Sequence, residues 1–210
     1  MKRREPMTST LPSDAKLLQL MSTGDDSAFA TLYRRHQALV YRFALLMSGS
    51  ASIAEEVTQE VFLILIRKPD GFDPARGPLL AYLYGVARNH VLTFLKRERP
   101  YVPLLNDSEA GTSLAQFAAE DDPFGNCTRN ELIKLVRQAV LTLPARYREV
   151  VVLCDFQELS YAEAAVVLDC AIGTVNSRLH RGHALLLKKL RGAGEVNGAA
   201  PDSQVMRCFA

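Results

Sequence analysis

Hydrogen-bonding and basic side chains are concentrated near the C-terminal end of the sequence, at residues 173–191. This stretch contains five Lys and Arg residues, and no acidic residue falls between Thr174 and Arg191. Apolar residues recur through it at helical spacing, interrupted only by Gly182, at Val175, Leu179, Leu186 and Leu190. Amide, hydroxyl and guanidinium groups along a helix can bind base edges and phosphates in a DNA major groove. The stretch therefore predicts a DNA-contacting helix.

A shorter helix is predicted directly before this stretch. Ser160 is followed three residues later by Glu163, the spacing of a capping box, so this helix should cover Tyr161–Leu168. The turn would be Asp169–Ile172, and the helix after it would end near Leu190. Two helices joined by a tight turn predict a helix-turn-helix. The alternative is a helical hairpin packed in a core, with its charges on a solvent-exposed face.

The composition is that of a globular protein. The chain has 210 residues, of which 48% are hydrophobic, enough for one or two small domains with real cores. The net charge of +2 is nearly balanced, so the distribution of charge, and not its total, indicates nucleic acid. The four cysteines form no CxxC pair, which favours reduced thiols in a cytoplasmic protein. No apolar run approaches the roughly 20 residues that span a bilayer.

Four helices are also predicted in the N-terminal part of the chain. One would be capped by Asp26 or Ser27 and end at Gly49, a residue type that readily adopts the left-handed conformation after a helix. Ser52 and Glu55 have the spacing of a capping box and should begin the next helix. The predicted spans are 13–22, 26–49, 52–68 and 79–97.

The predicted helix at 79–97 has two chemically different sides. Apolar side chains that can face a core recur at Leu80, Leu83, Ala87 and Val91. The other side carries Tyr84, Arg88, Asn89, Lys96 and Arg97. Aromatic rings interleaved with bases can stack on single-stranded nucleic acid and hold its phosphates. The alternative is that Tyr82 and Tyr84 are ordinary aromatics at the edge of a core.

Residues 100–128 separate two regions of the chain. They contain five acidic and no basic residues, and their prolines and glycines argue against one long helix. Because this charge opposes that of both flanking segments, we predict a flexible acidic linker between two helical domains. The second domain would contain four helices, beginning with Arg129–Leu143 and a helix that starts at Pro144. The full division is a disordered 1–12, a first domain at 13–99, the linker at 100–128, a second domain at 129–191 and a flexible tail at 192–210.

Motifs of common enzymes are absent from the sequence. There is no GxxxxGK[ST] phosphate loop, no HExxH, no GxSxG and no Rossmann glycine pattern. His180 and His183 have a spacing that could hold a metal, but no Cys or carboxylate lies within one turn of them, and the basic face repels cations. We therefore predict no catalytic residues, no cofactor and no metal site.

Four motifs occur in a specific order and spacing: Ala54–Phe62, Phe72–Pro78, Ala81–Asn89, and the pair Leu159–Ala165 with Gly173–Arg181. Together they resemble the bacterial RNA polymerase sigma factors of the small extracytoplasmic-function (ECF) type, over about residues 14–191. The resemblance implies an all-α fold of two small helical domains joined by an acidic flexible linker, the C-terminal one a helix-turn-helix. It also implies a cytoplasmic protein that binds core RNA polymerase and promoter DNA for strand opening and initiation, with an anti-sigma factor as a further partner.

The resemblance assigns roles to individual positions. The polymerase-binding helix would present Glu56, Gln59 and Glu60. The promoter −10 element would be opened and read by Tyr82, Tyr84, Arg88, Asn89, His90, Lys96 and Arg97. The −35 element would be bound by Thr174, Asn176, Ser177, Arg178, His180 and Arg181. The acidic linker would thread toward the RNA exit path of the polymerase.

The chain departs from the usual sigma-factor pattern at four positions. Tyr82 stands where Trp is usual, so stacking during strand opening should be weaker. Glu56 replaces the usual Asp, and Asp169 stands where the turn commonly has Gly, although Asp tolerates a left-handed backbone better than most residues. Asn176 stands where many relatives have a basic residue, and its amide can pair with adenine or contact phosphate, which leaves the promoter preference open.

Two other functions are compatible with parts of the sequence. A free-standing helix-turn-helix regulator would use residues 14–97 as a sensing domain. An all-helical nucleic-acid-processing enzyme would need paired carboxylates, and none lies near the basic face.

Overall fold

The computed structural model describes residues 12–97 and 127–197 of the chain, with side chains described for 12–97 and 133–191. These residues form helices and no strand, so the predicted all-α class is confirmed. The predicted disorder at 1–11, most of the acidic linker and residues 198–210 of the predicted tail lie outside the described residues. The helices are α1 Asp14–Ser22, α2 Asp26–Ser48, α3 Ala51–Arg67, α4 Leu79–Arg97, α5 Cys127–Leu141, α6 Ala145–Val151, α7 Tyr161–Leu168 and α8 Ile172–Asn197.

The helix ends follow local capping chemistry. Gly49 ends α2 with a φ of +76°, as predicted from its residue type. Asp25 caps α2 through its carboxylate, so the predicted cap at Asp26 or Ser27 is wrong. Ser50 caps α3 by accepting from the Ile53 amide at 3.4 Å, so the predicted cap at Ser52 is wrong by two residues. Ser50 and Ser52 can both cap a helix, and Ser50, which directly follows Gly49, is the one that caps α3.

The first domain, α1 to α4, has its core between the long helices α2, α3 and α4. Its most buried large side chains come from all three of these helices. They include Leu32, Val40, Phe43, Met47, Val57, Leu65, Leu79 and Leu83. The loop between α3 and α4 contains two short 3₁₀ turns, Pro69–Gly71 and Pro74–Arg76. The first domain thus holds this loop against the beginning of α4.

The second domain, α5 to α8, buries the predicted apolar line of α8. Val175, Leu179, Leu186 and Leu190 are all buried. The α6 helix continues as a π-helical segment at Val152–Phe156. The α8 helix continues to Asn197, beyond the predicted end at Leu190, so the first residues of the predicted flexible tail are helical.

The two domains pack against each other, which the sequence did not predict. Helices α2 and α4 of the first domain contact α5, α6 and α7 of the second. The Arg148 guanidinium of α6 donates 2.6 and 3.0 Å hydrogen bonds to the carbonyls of Met47 in α2 and Leu143. Arg42 of α2 donates to the Phe156 carbonyl and to Gln157 Oε1, at 3.4 and 3.3 Å. The described arrangement is therefore a closed one.

Candidate nucleic-acid interfaces

The predicted DNA face of α8 points to solvent. Because the apolar line of α8 packs inward, the residues between its members are directed outward. Four of the six predicted contacts are exposed and two are half-buried. The exposed ones are Asn176, Ser177, His180 and Arg181, and the half-buried ones are Thr174 and Arg178. The structure brings all six together on one helix, in an orientation that can enter a groove.

The geometry of α7 and the turn sets the direction of α8. The Ser160 amide donates to Glu163 Oε2 at 2.9 Å and the Glu163 amide to Ser160 Oγ at 3.3 Å, which confirms the capping box. Asp169 ends α7 in the left-handed conformation with a φ of +50°. This confirms the prediction that the turn can form with Asp where Gly is common.

A second group of side chains adjoins the α8 face at α6, and sequence reasoning missed it. The neighbouring Arg181 side chain lowers the pKa of the Tyr147 phenol. The Arg146 guanidinium lies over the same ring, with its Cζ 4.9 Å from the centroid. The Arg146–Tyr147 pair in the sequence was the available signal.

His183 is paired and does not form part of a metal cluster with His180. His183 Nε2 lies 2.7 Å from Asp155 Oδ2, which belongs to the π-helical segment after α6. Burial raises the pKa of Asp155, and the His183 contact opposes this effect. Among the described residues, no three His, Cys, Asp or Glu side chains are grouped to hold a metal. The sequence did not predict this pair, because Asp155 lies 28 positions before His183 and belongs to another helix.

The predicted −10 face of α4 is partly accessible. Asn89, Lys96 and Arg97 are exposed, and His90 is half-buried. Asn89 lines a cavity of about 400 Å³ between α4 and the loop at 71–78. Val166, Val167 and Asp169 from the C-terminal end of α7 form the opposite wall of this cavity. A cavity that combines apolar walls with an exposed amide can hold an unstacked base.

Tyr82 holds the loop that forms this cavity. Its ring lies 5.9 Å from that of Phe72. A Cβ built on Gly71 would lie 3.0 Å from the Tyr82 hydroxyl, so a larger residue there would require the ring to move. The half-buried Tyr82 presents only part of its surface to a DNA base.

Tyr84 is not on the DNA face, and its predicted role there is corrected. Its side chain is fully buried and its ring lies 5.1 Å from that of Phe43. Its hydroxyl donates to Gln157 Oε1 at 2.9 Å, and burial raises its pKa to about 12. Tyr84 precedes Ala87 by three residues and Val91 by seven, which places it on the apolar stripe. The alternative of an ordinary core aromatic is correct for Tyr84.

Arg88 is on the expected side of α4 but is already paired in this arrangement. Its Nε donates to Glu149 Oε2 at 2.6 Å, across the boundary between the domains. The Glu149 side chain is 5% exposed and that of Arg88 is 21% exposed. A guanidinium held by a buried carboxylate cannot contact a DNA phosphate with the same atoms.

The predicted polymerase-binding residues lie on the outer side of α3. Glu56 and Gln59 are exposed and Glu60 is half-buried. The same side continues into Leu63 and Ile66, which are 41% and 48% exposed. Large apolar residues exposed beside polar ones are typical of a protein-binding surface. Of the five apolar residues at 62–66, these two are exposed.

The fold defines an all-helical, two-domain protein with a C-terminal helix-turn-helix. The family models for Sigma-70 region 2 and Sigma-70 region 4 match residues 32–101 and 133–186. The ECF RNA polymerase sigma factor SigW of Bacillus subtilis is 31% identical over 180 residues, covering 84% of this chain and 96% of its own length. The chain belongs to the ECF RNA polymerase sigma factors.

Further comparisons agree with this family. The ECF sigma factor SigM of Mycobacterium tuberculosis is 32% identical over 182 residues, covering 85% of both chains. The structure of CnrH in complex with the cytosolic domain of CnrY is similar, with a TM-score of 0.64 and 25% identity, covering 86% of this chain and 99% of CnrH. The protein is a promoter-directing sigma factor and not a free-standing regulator. None of the helices in the described part of the chain has the length and hydropathy of a membrane span.

Proposed function

We propose that this sigma factor binds its promoter at two separate surfaces, one on each domain. The exposed α8 face, from Thr174 to Arg181, binds the −35 element as a duplex. The α4 face and the neighbouring loop bind the −10 element as a separated strand. The observation that carries this proposal is the full or partial exposure of six polar and basic side chains on α8, directed away from the buried apolar line.

Selectivity at the −10 element is assigned to Asn89. Its exposed amide lines the cavity at the loop, and an amide can both donate to and accept from a base edge. Extruding a base costs a few kcal/mol of stacking and pairing, about the amount that a shaped pocket can recover. His90, Lys96 and Arg97 then supply contacts to the strand backbone, while Tyr82 holds the loop.

The closed arrangement is proposed to be the form that does not engage the −10 strand. Arg88 is bound to Glu149, and the end of α7 forms one wall of the cavity beside Asn89. A strand that reaches both residues requires α7 and α6 to leave α4. The two domains would therefore separate when the protein binds polymerase and promoter.

The α3 surface is proposed to bind core RNA polymerase. Glu56, Gln59 and Glu60 offer carboxylate and amide contacts, and the exposed Leu63 and Ile66 add apolar area to the same surface. The acidic linker at 100–128 would approach the RNA exit path. We assign no catalytic step to this chain, since the polymerase carries the chemistry, and we place it in the cytoplasm with that enzyme.

An anti-sigma factor is proposed as a further partner. CnrH is recorded in complex with the cytosolic domain of CnrY, and this chain covers nearly all of CnrH with a similar fold. A partner that binds both domains in the closed arrangement would keep Arg88 and the cavity away from DNA. The contacts at Gln157 and Glu149 would then be retained in the complex.

Reconstitution tests the proposed function. Core RNA polymerase is mixed with this protein alone, and the mixture is analysed by gel filtration and by transcription from a promoter mapped after overexpression. We expect a stable complex and a defined transcript without another sigma factor. Absence of a complex in gel filtration would contradict the assignment, and initiation without dependence on the −35 sequence would contradict the role of α8.

A further inference from the structure

Three side chains from distant parts of the sequence meet between the two domains. Gln157, which follows the π-helical segment after α6, is buried, with 8% of the residue exposed. Its Oε1 accepts hydrogen bonds from the Tyr84 hydroxyl at 2.9 Å and from Arg42 Nη2 at 3.3 Å. Both donors belong to the first domain, Tyr84 to α4 and Arg42 to α2. One amide oxygen of the second domain therefore contacts two helices of the first.

This amide oxygen stabilises the closed arrangement through both donors. Tyr84 is fully buried, and a buried hydroxyl is destabilising unless an acceptor satisfies it. Arg42 is exposed, and its Nη2 also donates to the Phe156 carbonyl at 3.4 Å. The end of the π-helical segment is thus held against α2 and α4 by neighbouring acceptors, the Phe156 carbonyl and the Gln157 side chain.

The same amide also limits how stable the closed arrangement is. Gln157 Nε2 is buried, and none of the described residues accepts a hydrogen bond from it. A buried N–H without an acceptor is costly, and separation of the domains would let it donate to water. A glutamate of the same length would have no N–H here, and its carboxylate would accept from the same two donors with a negative charge facing Arg42. The neutral amide therefore holds the domains together more weakly than the acid would.

We infer that Gln157 keeps closure of the two domains reversible, because its neutral amide holds them together through a contact weak enough for polymerase or promoter DNA to displace. This inference rests on the proposed function of the α4 face, which the closed arrangement partly covers. The pair of Arg88 and Glu149 crosses the same boundary with two opposite charges. Exchange of an amide and an acid should therefore act in opposite directions at the two positions: Glu149→Gln weakens closure and Gln157→Glu strengthens it.

Two measurements on the full-length protein test the inference. Single-molecule energy transfer between fluorophores on unnatural amino acids at the exposed Gln37 and Ala162 gives the ratio of closed to separated molecules without DNA. Anisotropy of a labelled single-stranded −10 oligonucleotide gives an apparent Kd, which rises as the separated fraction falls. The variants are Gln157→Glu, Arg42→Ala, the two combined, and Gln157→Met, which keeps a similar length and removes the acceptor. Gln138→Glu, exposed on α5, is the matched control for the added charge.

We expect Gln157→Glu to raise the ratio of closed to separated molecules about three- to tenfold, the difference between a charged and a neutral hydrogen bond. The same exchange in the Arg42→Ala protein should lose most of this gain, because the added charge acts through that guanidinium. Gln157→Met should lower the ratio, and Gln138→Glu should match the wild type. The apparent Kd for the oligonucleotide should change in proportion to the ratio.

The two measurements separate failure of the inference from failure of the proposed function. A ratio for Gln157→Glu no higher than that for Gln138→Glu, or an equal rise with and without Arg42, would overturn the role of Gln157. If the ratio changes as expected while the apparent Kd for the oligonucleotide stays constant, the role of Gln157 stands and the proposed −10 role of α4 fails. Circular dichroism checks that each variant folds, and Gln157→Glu decides alone if Gln157→Met does not.

Discussion

The two proposed DNA faces differ in what covers them. The α8 face is open to solvent, with Asn176, Ser177, His180 and Arg181 exposed. The α4 face is partly covered by the second domain, because Arg88 is paired with Glu149 and α7 forms a wall of the cavity beside Asn89. The same closed arrangement thus leaves one surface ready for DNA and occupies the other.

This difference shows that the interface between the domains uses the Arg88 guanidinium, a group that a DNA phosphate could also bind. A guanidinium that binds a carboxylate can bind a phosphate, and the two contacts exclude each other. Binding of a duplex at α8 needs no rearrangement of the described residues. If the −10 strand binds at α4 as proposed, the domains must separate, so the two promoter elements are expected to respond differently to changes at the interface.

The largest expected effect comes from removing the arginine of the open face. Arg181→Ala should weaken binding of the −35 duplex by about 1–3 kcal/mol if Arg181 contacts a base, with a loss specific to one position of the element. If it contacts phosphate, the loss should be uniform across sequences and the salt dependence should decrease by about one charge. Anisotropy titrations at several salt concentrations separate these outcomes, and unchanged binding would remove Arg181 from the interface.

The next effect comes from the covered face. Glu149→Gln removes the charge that holds Arg88 and should shift the equilibrium between closed and separated domains by about 1–2 kcal/mol. The free protein should then bind a single-stranded −10 oligonucleotide more tightly, while its affinity for the −35 duplex stays the same. Glu55→Gln, on the exposed part of α3, is the matched control. Equal gains at both elements would contradict the difference between the two faces.

A smaller effect is expected at the base cavity. Asn89→Ala removes an exposed amide without changing the core, so it should alter selectivity among −10 variants by about 1 kcal/mol and leave polymerase binding intact. Transcription from a panel of −10 substitutions by the reconstituted holoenzyme gives the measurement. The role of Asn89 would be excluded by the same rank order of promoters before and after the change.

The last effect bears on stability and not on promoter binding, and it is visible only at alkaline pH. Burial raises the pKa of Tyr84 to about 12 in the folded protein, above its usual value of 10. The stability that protonated Tyr84 contributes is present below pH 10 and is lost as the pH rises toward 12. The stability advantage of the wild type over Tyr84→Phe, measured by urea unfolding, should decrease across this window. A constant difference throughout the window would show that Tyr84 is not buried as described.

The sequence predicted the open face well because local rules determine it. The apolar line of α8, the Ser160 capping box and the left-handed Asp169 depend on residues within a few positions of each other. The covered face depends on contacts distant in sequence, such as Arg88 with Glu149, which are 61 positions apart. Tyr84 could have been assigned correctly from its spacing to Val91, but its aromatic and polar character favoured the other side. The Tyr147 contact had no sequence signal beyond an adjacent arginine.

The distance between the two domains tests the central claim most directly. A donor and an acceptor fluorophore on unnatural amino acids at the exposed positions Gln37 of α2 and Ala162 of α7 report this distance by energy transfer. We predict high transfer in the free protein, low transfer in the holoenzyme on promoter DNA, and an intermediate value for free Glu149→Gln. The same transfer efficiency in the free protein and in the promoter complex would contradict the claim that the domains must separate before the −10 strand is bound.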